Sequence, residues 1–170
     1  KILVTSFSKV SHTDNGGVLH IINAGFTCSK TTFTECSSTE IGGAIYLSYT
    51  HNNQNSYTLD GLSFNKCSSK CGGSIYVHST SMNNEVKISG CTFTGNVALS
   101  KSDTLGGISI FMSIKSGLIK SNTFVNNVGD SVVKILNDFQ ATKLNVKESH
   151  EFDVLVSDCK FDNFIDSKSC

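Results

Sequence analysis

Arginine, proline and tryptophan are absent from this chain of 170 residues, so all 14 of its basic residues are lysines. Without arginine there is no planar guanidinium fork, the group best suited to bidentate recognition of phosphate, carboxylate or guanine. The lysines balance 14 acidic residues. A formal charge of zero leaves no electrostatic footprint for nucleic acid or an anionic membrane, and neither is expected as a partner. No apolar run approaches the roughly 18 residues of a membrane-spanning helix. There is no secretory leader, and the first residue is Lys1 rather than methionine. The expectation is a mature or excised piece. The missing residue types, with abundant Asn, fit an AT-rich coding sequence.

What the chain does have is a repeat. An apolar residue followed, five positions on, by Phe occurs at Ile2 and Phe7, Cys28 and Phe33, Leu59 and Phe64, Ile88 and Phe93, and Ile119 and Phe124. Val156 and Phe161 form a sixth copy. After most copies come a polar stretch, a glycine pair and a short β-prone run. The pairs are Gly16 and Gly17, Gly42 and Gly43, Gly72 and Gly73, and Gly106 and Gly107. Self-similarity with a period of a few tens of residues marks a solenoid. The expected fold is all-β, a right-handed parallel β-helix of about five to six coils, one for each copy of the repeat. Residues 1–170 read as a single β-helix segment, an excerpt of a longer repeat protein.

Alignment on the Phe produces columns. Phe7, Phe33, Phe64, Phe93, Phe124 and Phe161 form the expected structural ladder, since parallel strands about 4.8 Å apart bring equivalent rings into contact. Three residues later stand Val10, Cys36, Cys67, Asn96, Asn127 and Phe164. Two residues before the Phe stand Thr5, Thr31, Leu62, Cys91, Asn122 and Cys159. Asn amides in such columns can form ladders along the axis. In the second half of each coil, Leu19, Ile45, Ile75, Ile108 and Val133 are expected to face inward, with Ile21, Leu47, Val77, Ile110 and Ile135 two residues on. His20, Tyr46, Tyr76, Ser109 and Lys134 between them are expected to face outward. The glycine pairs suit the corner before this strand, where φ > 0 or close backbone approach is needed.

Seven cysteines are too few for a disulfide scaffold. None has CxxC spacing, and Cys67 and Cys71 lack a second Cys/His pair nearby, so no zinc site is expected. Cys36 and Cys67 share a column one coil apart. Their Cα separation should fall within the roughly 4.4–6.8 Å that a disulfide requires. They form either a disulfide or a pair of stacked thiols. Cys91 and Cys159, two coils apart, are too distant to pair; with Cys28 they read as buried thiols acting as small hydrophobes.

The combination of glycine-pair strand and Phe-x-x-Asn resembles the repeats of the polymorphic outer membrane proteins of chlamydiae, defined by GGA(I/L/V) and FxxN motifs. Gly42-Gly43-Ala44-Ile45 matches the first motif. Gly72-Gly73-Ser74-Ile75 and Gly16-Gly17-Val18-Leu19 are near matches. Phe93-Thr94-Gly95-Asn96 and Phe124-Val125-Asn126-Asn127 match the second. Phe33-Thr34-Glu35-Cys36 and Phe64-Asn65-Lys66-Cys67 carry Cys in place of Asn. The resemblance implies a secreted or surface-displayed right-handed β-helix that acts in adhesion, without the autotransporter barrel of the bacterial members. Large surface proteins of protists carry similar repeats.

The same residues offer little catalytic chemistry. Polysaccharide lyases of this shape usually use an arginine base and a carboxylate-bound Ca²⁺, and this chain has no arginine. Hydrolases need paired carboxylates. Asp158, Asp162 and Asp166 are the candidates, but their spacing around Phe161 is that of a solvated rim. His12, His20, His51, His78 and His150 have no recurring partner, and no GxSxG motif supports a serine nucleophile. No catalytic, cofactor-binding or metal-binding residue is assigned.

The function expected from the sequence is a noncatalytic structural or adhesive module of a large extracellular or cell-surface protein. Two alternatives stand beside it: a filament or coat subunit stacking end to end, and a fragment of a carbohydrate-active enzyme. Its partners would be flanking coils of the same polypeptide or stacked subunits, with carbohydrate or protein ligands at the loops 48–56 and 79–85, both Asn-rich, and 97–105 and 137–152. The last of these contains the one stretch, 138–150, where a helical turn was conceivable.

Overall fold

A computed structural model of the chain describes residues 1–50, 56–79, 84–99, 109–114, 116–129, 131–136, 153–162 and 165–166. They contain strands and no helix. The first coil holds β1 (Ile2–Leu3), β2 (Ser6–Ser8), β3 (Ser11–His12) and β4 (Leu19–Ile22). The second holds β5 (Phe26–Ser29), β6 (Thr32–Thr34), β7 (Ser37–Ser38) and β8 (Ile45–Tyr49). The third holds β9 (Ser56–Asp60), β10 (Ser63–Asn65), β11 (Ser68–Ser69) and β12 (Ile75–Ser79). Then come β13 (Glu85–Ser89), β14 (Thr92–Thr94), β15 (Val97–Ala98) and β16 (Ile110–Ser113), followed by β17 (Ser116–Lys120), β18 (Thr123–Val125), β19 (Val128–Gly129) and β20 (Val133–Leu136). Last are β21 (Asp153–Ser157), β22 (Lys160–Asp162) and β23 (Ile165–Asp166).

Every fourth strand pairs in parallel. The first sheet runs β1-β5-β9-β13-β17-β21, the second β2-β6-β10-β14-β18-β22, the third β3-β7-β11-β15-β19-β23 and the fourth β4-β8-β12-β16-β20. The molecule is thus a parallel β-solenoid with four faces, and its core lies along the axis. The register follows the repeat: Phe33 lies opposite Phe64, Phe64 opposite Phe93, and Cys28 opposite Leu59.

Two details differ from the sequence reading. The stretch around each Phe is three short strands on three faces. Between them the chain turns at two left-handed columns. Three residues before the Phe, Val4, Lys30, Gly61, Gly90, Ser121 and Asp158 have φ between 46° and 62°. Two residues after it, Lys9, Glu35, Lys66, Gly95 and Asn126 have φ between 52° and 62°. A left-handed residue other than glycine costs about 1–2 kcal/mol. The neighbouring coil offsets this by binding each corner amide: Lys30 N–H donates to the Asp60 carbonyl at 3.0 Å, and Lys66 N–H to the Thr94 carbonyl at 2.9 Å.

The second difference is a register. Ile75 pairs with Ile110, not Ile108, and Val77 pairs with Met112. The inward residues of β16 are therefore Ile110 and Met112, and Ser109 is fully buried instead of facing outward. A shift of two residues preserves the in–out alternation, so periodicity alone cannot detect it. Ile108, Gly106 and Gly107 lie outside the described residues. At the other pairs, the first glycine is left-handed, with φ +70° at Gly42. The second permits close approach: a Cβ on Gly43 would collide with the carbonyls of Gly73 and Ser68.

Candidate functional site

The features most able to carry function are the interior columns, which set the rigidity of the stack, and the outer rows they hold in place. Under the second sheet the six Phe rings lie one over another. Centroids are 5.4 Å apart from Phe7 to Phe33, 5.0 Å to Phe64, 4.9 Å to Phe93, 4.8 Å to Phe124 and 5.0 Å to Phe161. Phe33, Phe64, Phe93 and Phe124 are buried, while Phe161 in the last coil is 54% exposed.

Beside this ladder run two polar corner columns with a common logic. In the column three residues after the Phe, the Cys and Asn side chains reach the carbonyl of the Phe one coil earlier. Cys36 Sγ reaches Phe7 O at 3.7 Å and Cys67 Sγ reaches Phe33 O at 3.6 Å. Asn96 Nδ2 reaches Phe64 O at 3.2 Å and Asn127 Nδ2 reaches Phe93 O at 3.0 Å. The column two residues before the Phe repeats the scheme. Asn122 Nδ2 donates to Ile88 O at 3.0 Å, while the thiols of Cys91 and Cys159 lie between the preceding coil's carbonyl, Leu59 O at 3.7 Å or Ile119 O at 3.8 Å, and a nearer one in their own coil, Ser89 O at 3.2 Å or Ser157 O at 3.3 Å. The carbonyls freed where the chain turns are thus satisfied from inside by whichever donor is present. Asn adds a second bond: its Oδ1 accepts the backbone N–H of the same column one coil earlier. Asn96 does this for Cys67 at 2.9 Å, Asn127 for Asn96 at 2.9 Å and Asn122 for Cys91 at 2.8 Å. Asn96 and Asn127 also form an amide ladder, with Nδ2 donating to Oδ1 at 3.0 Å.

This chemistry explains the alternation of Cys and Asn, and it decides the Cys36–Cys67 question. Both are free, buried thiols, so the disulfide alternative is corrected. Side chains stacked in one orientation keep equivalent atoms about a strand spacing apart, near 4.8 Å, whereas a disulfide needs about 2.05 Å. The hydrogen bond with the Cys67 thiol lowers Cys36 against the effect of burial. Cys67 is pushed up by Cys36 and by burial. Burial raises Cys28 and pushes Cys91 up to about 12. Cys159, in the last coil, is half-buried rather than buried.

Outside, the second sheet presents two mainly polar rows. Before the Phe stand Ser6, Thr32, Ser63, Thr92 and Thr123; after it stand Ser8, Thr34, Asn65, Thr94 and Val125. Most are half-exposed or exposed. The fourth sheet carries an aromatic stripe. His20 meets Tyr46 edge-on at 4.7 Å, and Tyr46 stacks on Tyr76 at 5.6 Å. Charged pairs are peripheral: Lys70 with Glu40 at 2.7 Å, Lys87 with Glu85 at 3.2 Å, and Lys120 with Asp158 at 3.9 Å.

The acidic trio does not form a site among the described residues. Asp158 and Asp162 are exposed, and the Asp166 side chain is outside the described set. His12 accepts the Asp14 N–H at 3.1 Å through Nδ1, and His51 and His150 are outside the described residues. Among the described residues no three His, Cys, Asp or Glu side chains come together as metal ligands. Among the described residues no helix is long and apolar enough to cross a membrane. The expected binding loops fall largely outside the described residues, at 51–55, 80–83, 100–108 and 137–152.

Sequence reasoning missed the left-handed corner columns. Their signal was present as recurring Lys, Gly, Asn or Ser at two fixed offsets from the Phe, among residues that read as ordinary strand polar positions. The chain matches no family model, no curated protein and no solved structure.

Proposed function

We propose that this chain is a noncatalytic structural and adhesive β-helix module of a larger extracellular or cell-surface protein, of the kind its repeats resemble. The observation that carries this reading is the regular outer surface. An unbroken ring ladder holds the second sheet in register from β2 to β22, so the outward Ser and Thr row before the Phe repeats through the first five coils and gives way to Lys160 in β22. Quasi-one-dimensional folds of this kind serve as extended binding surfaces. Loops projecting from such a rod supply the variable contacts, and carbohydrate or protein ligands are proposed there. The test is adhesion of beads carrying the folded chain to cells and to arrays of glycans and matrix proteins. Replacing 51–55 and 80–83 by Gly-Ser linkers should abolish retention while leaving the unfolding transition intact. Failure of the folded wild-type chain to be retained on any of these surfaces would sink the adhesive reading.

One observation favours a second reading, in which stacking itself is the function. Of the seven large hydrophobic residues exposed in the described structure, six, namely Leu3, Val4, Ile22, Leu155, Val156 and Phe161, lie in the first and last coils. Further coils, from the same polypeptide or a stacked subunit, would cover them. Concentration-dependent end-to-end assembly in sedimentation velocity supports stacking, and a monomer at all concentrations counts against it.

A further inference from the structure

The interior is apolar at most levels, but one column changes character part-way along. Immediately before the strands of the fourth sheet, successive coils carry Val18, Ala44, Ser74, Ser109 and Val132, as their pairing registers require. Ser74 and Ser109 are fully buried. Neither hydroxyl has a hydrogen-bond partner among the described protein atoms. Buried polar groups are almost always satisfied, and two orphans on neighbouring levels require an explanation.

Two measurements supply it. Equivalent atoms of in-register residues on adjacent strands lie about 4.7–4.9 Å apart. That is too far for the two hydroxyls to bond each other. A single water making two hydrogen bonds of about 2.7–2.8 Å at a near-tetrahedral angle spans roughly 4.5 Å. Apolar Ala44 and Val132 close the column on either side, which limits the occupant to one small polar molecule. We propose that Ser74 and Ser109 form a buried hydration site, in which one water is held between the two hydroxyls and ties the third coil to the fourth.

The experiment is a double-mutant cycle on the intact chain: Ser74→Ala, Ser109→Ala and both together, read by equilibrium urea unfolding. Alanine already occupies this column at position 44, so the variants fit the fold. A bridging water predicts that each single substitution strands the remaining hydroxyl and lowers the folding constant about five- to tenfold. The double variant then loses no more than either single one. Dry, orphaned hydroxyls predict the opposite sign, with each substitution raising the folding constant and the effects adding. That outcome, or neutral single variants, overturns the proposal. A second readout is a water-to-amide nuclear Overhauser effect at Ser74 and Ser109, whose absence also overturns it.

Discussion

The Phe ladder and the corner columns lie a few residues apart in every coil, yet they obey different rules. The ladder holds one residue type in all six copies, because stacked rings 4.8–5.4 Å apart fill a fixed cross-section. The corner columns hold Thr, Val, Leu, Cys and Asn, because their task is to place a donor near a carbonyl or simply to close the corner. Shape demands identity. Hydrogen-bond satisfaction demands only a suitable group within reach.

The sharpest way to test this contrast is at the ladder. Phe93→Ala should cost about 3–5 kcal/mol in urea unfolding, as large-to-small core changes do. Phe161→Ala, with its ring 54% exposed in the last coil, should cost well under half of that. Equal losses would mean that the ladder is not a continuous core.

At the corners the identity of the donor should matter less than its presence. Asn96→Ala removes the donor to Phe64 O and the acceptor for Cys67 N–H, both buried. A loss of about 2–3 kcal/mol is expected from the groups left unsatisfied. Asn96→Cys, which restores the donor as Cys67 does one coil earlier, should recover about half of it. No recovery would refute the interchange of thiol and amide.

The thiols add a pH signature that the ladder lacks. Cys91 is raised from 9.0 to about 12, chiefly by burial. The folded chain therefore keeps this proton where the unfolded chain loses it. Its contribution is fully present below pH 9, and stability falls as pH rises from 9 towards 12, by up to about 1.4 kcal/mol per unit. Cys28 shifts in the same direction. Cys91→Asn keeps a donor in the column and should reduce the alkaline slope measured by chemical denaturation, with Cys28 and Cys67 supplying the rest; an unchanged slope would show that the Cys91 thiol is not a source of it.

The smallest expected effect is at the left-handed corners. Lys66→Gly relieves a side chain at φ 54° but adds freedom to the unfolded chain. The two terms nearly cancel, leaving a change within about 0.5 kcal/mol. A loss above 1 kcal/mol would show that the lysine stem packs on the corner.

Sequence alone determined the axis of this protein. Identical side chains recurring at one offset can touch only if parallel strands stack in register, so the six Phe positions were enough to specify a solenoid and its core. The Phe-x-x-Asn motif marked one corner column, but not why Cys replaces Asn there. That reason is the carbonyl of the preceding coil, which is distant in sequence and adjacent only once the coils have stacked. Tertiary structure likewise decided the turns at Lys30 and Lys66, because an unfavourable φ becomes tolerable only when the neighbouring coil binds the corner amide. It also decided that Ile110 rather than Ile108 pairs with Ile75, since a shift of two residues leaves the alternation unchanged and only the pairing selects the register.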